Sequence, residues 1–201
     1  MSKQPVIVMD VDQVLLDYYS RLREYVNNKF SRRVDGLPED WSMRTWLEFD
    51  TDEEVHAIID EFSKSYEFGT LDAFPGADVV LHDLVKNGYK LICLTACGTS
   101  DMTVNLRKVN LFHRFGDIFE EVHFVNFTDS KADTLENIKS RYKVEAFIDD
   151  KPENIDDAFA VGIENLILMK APHNRAFRKS TNLAIKSAFS WYECKNIIFG
   201  D

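Results

Sequence analysis

The stretch that most constrains this chain is Pro5-Val6-Ile7-Val8-Met9-Asp10-Val11-Asp12-Gln13-Val14, a short apolar run closed by two carboxylates one residue apart. An unbroken apolar run between Pro5 and Asp10 predicts a strand buried on both faces, as in a parallel sheet covered by helices. Asp10 and Asp12 then fall at the carboxyl edge of that strand, where open α/β sheets place their ligands.

The rest of the chain fits such a sheet. From Phe74-Pro75-Gly76 onward, helical and strand patterns alternate as parallel strands require. Helices are expected over 77–87 with Gly88 behind it as C′ residue, from Ser100-Asp101 to about Val109, from Asp129 or Ser130 to about Tyr142, and behind Pro152, which suits the first helical position. Strands are expected over 89–95, 121–125, 144–148 and 165–169, and the tail 183–199 is expected to begin as a helix. Between the first strand and Phe74, two helices are expected, over 17–30 (Tyr18, Leu22, Tyr25, Val26, Phe30) and over 52–66 behind the cap Thr51. They flank an irregular stretch over 31–50. The expected architecture is α/β, with a Rossmann-like parallel sheet core, helices on both faces, and a small helical insertion at 17–73 between core segments 1–16 and 74–201. Trp41, Trp46, Phe49 and Phe62 are expected to form the insertion's own core rather than a base-stacking pocket.

Composition narrows the function classes. The 201 residues, 45% of them hydrophobic, suffice for one packed domain. With 24 Lys and Arg against 34 Asp and Glu, the net charge of -10 argues against a broad electrostatic grip on a nucleic acid polymer or an anionic membrane. A small anionic substrate would need local positive charge or a metal. No apolar run approaches the ~18 residues of a spanning helix, and no basic-then-apolar leader precedes Asp10, so a cytoplasmic protein is expected. Cys93, Cys97 and Cys194 are an odd set without C-x-x-C spacing, which indicates neither a disulfide framework nor a zinc site. Cys97 has no activating partner in the sequence and is expected to be a bystander.

Chemistry concentrates at the strand ends. Asp10 with Asp12, Thr95, Lys131, and Asp149 with Asp150 all fall at or just after the ends of expected strands, and a parallel sheet brings those ends to one edge. Converging carboxylates repel by about 4 kcal/mol per pair at ~4 Å in an effective dielectric of ~20. A hard cation relieves that repulsion, and oxygen donors of this kind suit Mg²⁺. Phosphoryl transfer then assigns each group a task. Asp10 attacks phosphorus, and Asp12 protonates the leaving oxygen and later activates water. Thr95 Oγ1 and the Ala96 N–H hold phosphate oxygens, and Lys131 offsets the negative charge. Asp149 joins Asp10 and Asp12 at the metal, while Asp150 acts as a ligand through water or orients Lys131.

At Asp10-Val11-Asp12, Leu94-Thr95-Ala96, Lys131 and Ile148-Asp149-Asp150 the chain resembles, in order, the four motifs of the haloacid dehalogenase-like phosphatase superfamily. The resemblance implies that the insertion is a cap. Ile148-Asp149-Asp150-Lys151, Pro172-His173-Asn174-Arg175 and Trp191 are similar to the 5′(3′)-deoxyribonucleotidases. That implies a Mg²⁺-dependent phosphomonoesterase for a small phosphorylated substrate, a nucleoside monophosphate first. A sugar phosphate, another small phosphoester, or a catalytically idle nucleotide-binding role are the alternatives. A phosphoacceptor receiver would need its acid pair on the first strand and its phosphorylated Asp on a middle one, and a carbon–halogen dehalogenase would not need Asp12. His173-Asn174-Arg175 is expected either to pack the C-terminal segment or to contact substrate. One position departs from the superfamily, which usually carries Gly where this chain has Gln13. Either the backbone there needs no positive φ, or the loop geometry is altered, since a side chain at positive φ costs about 1 kcal/mol.

Overall fold

The computed structural model describes residues 3–175 and 185–200. The apolar run forms β1 (Pro5–Met9), with Val6, Ile7, Val8 and Met9 all fully buried. Its residues alternate between two cores: Ile7 and Met9 enter one hydrophobic cluster, Val6 and Val8 the other. The same division runs through β2 (Lys90–Thr95), where Leu91 and Cys93 face the first cluster and Ile92 and Leu94 the second. A strand apolar on both faces is therefore the middle of a helix–sheet–helix sandwich.

The remaining strands are β3 (Phe119–Phe124), β4 (Lys143–Asp149), β5 (Leu166–Met169) and β6 (Lys186–Ala188). All pair in parallel, in the order β3-β2-β1-β4-β5-β6. This order reverses between β1 and β4, and an open sheet of this kind binds ligands outside the carboxyl ends at that crevice. One face is covered by α4 (Ala77–Lys86), α5 (Asp101–Phe115) and α8 (Trp191–Phe199), the other by α6 (Ala132–Arg141) and α7 (Pro152–Ala160). Burying each Leu, Ile or Val of these faces contributes on the order of 1.5–3 kcal/mol.

Residues 17–73 form α1 (Tyr18–Phe30), α2 (Met43–Leu47) and α3 (Asp52–Phe62), followed by a 3₁₀ turn at Phe68–Thr70. Asp17 caps α1, and Thr51 with Glu54 forms a reciprocal capping box on α3. Tyr18, Phe62 and Phe68 meet edge to face, with centroids 5.4 to 6.5 Å apart, and tie the segment to itself. Its two ends are joined by backbone bonds from Asp17 N–H to Asp72 O and from Phe74 N–H to Leu15 O, each 2.9 Å.

Three expectations need correction. The tail does not begin as a helix within the described residues: Lys186–Ala188 adds β6 to the sheet edge, and α8 starts only at Trp191; residues 183 and 184 lie outside the described range. Its short Lys-Ser-Ala sequence has no periodicity to read. α5 runs on to Phe115, because Leu111 and Phe115 continue its buried face and Gly116, at φ 76°, ends it. α6 begins at Ala132, with Lys131 in the N-cap position, and Asp129 does not cap it; Ser130 Oγ accepts from the Ala132 N–H at 3.1 Å. Asp157 of α7 accepts in addition from the Lys131 N–H and the Ser130 hydroxyl.

Candidate active site

Register brings the motif residues together. Met9 is paired with Cys93 and Ile148, so Asp10 sits beside Asp149, and its N–H donates to Ile148 O at 2.9 Å. Lys131, at the start of α6 and fully buried, donates to Asp10 Oδ1 at 2.7 Å and to Asp149 Oδ2 at 2.8 Å. Asp149 is held further by the Asn154 amide, 3.0 Å from each carboxylate oxygen, and by the Lys151 N–H. One oxygen each of Asp10, Asp149 and Asp150 lies within 4.8 Å of the others.

Burial pushes the Asp10 carboxyl well above its usual range; Lys131 opposes this, and Asp149, Asp150 and Asp12 add to it. Asp150 is raised by burial and then by Asp149. Burial pulls Lys131 down, but Asp10 and Asp149 more than compensate and hold it protonated. Two buried carboxylates thus bond one ammonium, and a third, Asp150, stands beside them without a bond to it. That excess of oxygen donors fits a hard divalent cation, for which Asp10, Asp149 and Asp150 are the clustered carboxylates among the described residues.

Asp12, expected at the metal, stands outside this trio. Its Oδ1 accepts from Arg107 Nη2 at 2.6 Å, while the residue still lines the cavity. Burial raises its carboxyl and Arg107 partly offsets the rise. Nor does Asp150 orient Lys131. It pairs with His173, whose Nε2 lies 2.7 Å from Asp150 Oδ2. Burial pushes the His173 imidazole down to about 4. The Asn174 amide donates to the carbonyls of Asp150 and Met169, so the loop braces the acid pair.

Gln13 adopts φ 61°, so the turn keeps its left-handed conformation with a side chain in it. With its amide oxygen facing α1, Gln13 accepts from the N–H groups of Tyr19 at 2.7 Å and Tyr18 at 3.3 Å. The side chain thus offsets part of the backbone cost by capping the first helix of the insertion. Trp191 donates from Nε1 to Val14 O at 2.8 Å and secures the same loop from α8.

These groups open into a cavity of about 530 Å³. Thr95 and Ala96 lie in its floor, and Thr95 Oγ1 is buried without a hydrogen-bond partner among the described residues. Tyr19, Trp41, Met43 and Ile59 from the insertion line it together with Phe127. Phe62 is core, as expected, but Trp41 lines the cavity and stands edge-on to His173 at 4.4 Å. The Cys97 thiol is buried and pushed up to about 11, which leaves it unreactive. The sequence reading missed Arg107, Asn154 and Asp157. Asn154 and Asp157 stand three apart on α7, one helical face behind Pro152, and Arg107 is a charge within the apolar stripe of α5, which were the available signals.

A sequence model described as 5′ nucleotidase, deoxy (pyrimidine), cytosolic type C protein matches residues 4–200. The chain belongs to this nucleotidase family. Family membership makes it a hydrolase of phosphoric monoesters of the haloacid dehalogenase-like class. It is 24% identical over 210 residues to the Chlorobaculum tepidum protein named "Putative 5'(3')-deoxyribonucleotidase", covering 98% of this chain and 92% of that one. It is likewise 24% identical to an uncharacterized 32.4 kDa protein of Enterobacteria phage T4, covering 98% of this chain and 70% of the phage protein. Among solved structures, a haloacid dehalogenase-like hydrolase of Streptococcus pneumoniae superposes with TM-score 0.64 at 18% identity over 96% of both chains. CbbY of Rhodobacter sphaeroides, solved with phosphate, gives 0.61 at 15% identity over 95% of this chain and 96% of that one. These two likenesses show the fold. No helix among the described residues is long and apolar enough to cross a membrane.

Proposed function

We propose that this nucleotidase-family chain is a Mg²⁺-dependent phosphomonoesterase that forms an aspartyl phosphate on Asp10 and takes a nucleoside monophosphate. The observation that carries the reading is the unpartnered, buried Thr95 hydroxyl beside Asp10 and Lys131 on the floor of a cavity with aromatic walls. A phosphate oxygen supplies the partner Thr95 lacks, and Lys131 balances the phosphate's charge.

Asp10 attacks phosphorus, the ester P–O bond breaks, and the leaving oxygen takes the proton from Asp12. Water then attacks the acyl phosphate, gives its proton to Asp12, and releases inorganic phosphate and the Asp10 carboxylate. Lys131 keeps Asp10 oriented throughout, and Asn154 keeps Asp149 in place. Mg²⁺ held by Asp10, Asp149 and Asp150 would neutralise charge between nucleophile and phosphate.

Residues 17–73 act as a cap in this reading: Tyr19, Trp41, Met43 and Ile59 close over the substrate and limit its size. Trp41 and Phe127 offer faces to a nucleobase. The family's description and the name of the Chlorobaculum relative favour a deoxyribonucleotide, with the phosphate on either the 5′ or the 3′ oxygen. The test is turnover, with and without Mg²⁺, of 5′- and 3′-nucleoside monophosphates, sugar phosphates and an aryl phosphate. Mg²⁺-dependent preference for nucleotides supports the reading; no turnover of any of them, or equal turnover in chelator, contradicts it.

A further inference from the structure

We infer that Arg107 is a positioning residue for proton transfer, clamping one oxygen of Asp12 so that the other serves both the leaving group and the attacking water. This rests on the acid/base role given to Asp12 above.

Arg107 is fully buried in the middle of α5, and its one carboxylate partner among the described residues is Asp12. A buried guanidinium is costly unless its surroundings satisfy it. Here the two terminal nitrogens and one ring contact fix it, while its buried Nε has no hydrogen-bond partner among the described residues. Nη2 donates to Asp12 Oδ1 at 2.6 Å, the guanidinium Cζ lies 4.0 Å from the centroid of the Phe68 ring, and Nη1 reaches Asn110 Oδ1 at 3.5 Å. Asn110 is itself locked, accepting from the Leu71 N–H and donating to Leu71 O. The fork thus spans α5, the 3₁₀ turn where the helical insertion rejoins the core, and the catalytic loop. An ion pair built only for stability has no reason to end on a cavity-lining carboxylate. One that fixes a proton carrier does, since a carboxylate free to rotate would offer either oxygen and lose alignment between the two steps.

The test compares Arg107→Met, Arg107→Lys, Asp12→Asn and Asp12→Asn/Arg107→Met on aryl phosphates of graded leaving-group acidity, reading the burst of Asp10 phosphorylation separately from steady-state hydrolysis. Arg107→Met is expected to lower rates with poor leaving groups about a hundredfold, while the burst with the most activated ester changes only a few-fold. In the Asp12→Asn background the same change should cost almost nothing further. Arg107→Lys retains the charge and chain length but not the fork, and should fall between wild type and Arg107→Met; it carries the test if Arg107→Met does not fold. Equal losses for all leaving groups, or the same loss with and without Asp12, would overturn the proposal. If Asp12→Asn itself shows no leaving-group dependence, the acid/base reading of Asp12 has failed instead.

Discussion

Replacing Lys131 with Met probes the electrostatic design of the site most sharply. The ammonium is fully buried and bonds two carboxylates, at 2.7 and 2.8 Å. Removing one partner of a buried ion pair costs about 3–5 kcal/mol, because the remaining charge is left uncompensated. For a chain of about 200 residues, each kcal/mol moves Tm by roughly 2–4 °C, so the variant should melt about 6–20 °C lower in chelator. Saturating Mg²⁺ should narrow that gap, since a divalent cation restores positive charge among Asp10, Asp149 and Asp150. Turnover should be lost in both conditions, because the phosphate loses its neutralising partner. The assay is thermal unfolding by circular dichroism, in chelator and in Mg²⁺, beside steady-state hydrolysis. A variant that melts within about 2 °C of wild type in chelator, or gains no more from Mg²⁺ than wild type does, would refute the reasoning.

Three further outcomes are expected. Asn154→Ala should weaken Mg²⁺ binding about 10- to 100-fold, read from the metal dependence of activity, because the amide that fixes both Asp149 oxygens is gone. Trp41→Ala should raise KM for nucleoside monophosphates about tenfold while leaving a small non-nucleotide phosphoester nearly unaffected, as loss of one stacking face predicts. On β3, Glu121 is held down to about 2, first by its hydrogen bond to Arg141, then by Tyr142 and His123 against the opposing effect of burial. Its folded value lies below the ordinary 4.5, so its contribution is complete above about pH 4.5 and disappears as pH falls toward about 2. Glu121→Gln should remove that part of the acid dependence of Tm, worth about 1 kcal/mol or less at a partly exposed pair.

What the sequence made legible was whatever local pattern alone determines. Val6 to Met9 could be apolar throughout only in a strand covered on both faces, and Thr51 with Glu54, Pro152 and Gly88 marked helix boundaries by their own backbone chemistry. The convergence of Asp10, Thr95, Lys131 and Asp149 followed from parallel strands sharing one edge. Pairings between distant side chains were not legible. Nothing near Asp12 announces that Arg107, 95 residues away, takes its carboxylate, or that His173 reaches Asp150 and Asp157 holds the Lys131 backbone. β6 escaped because an edge strand of three residues has too little length for a period. At Gln13 the missing glycine was visible, but not that the left-handed turn persists and the side chain turns back to cap α1.

The central claim is that Asp10 carries the phosphoryl group, and trapping it is the most direct test. Asp12→Asn should accept phosphate from an activated aryl ester, which needs no acid, and then stall because water lacks its base. Acid quench, borohydride reduction and peptide mass spectrometry should find homoserine in place of Asp10 and nowhere else. Unmodified Asp10 after a demonstrated burst of aryl alcohol, or homoserine at a different aspartate, would contradict the account.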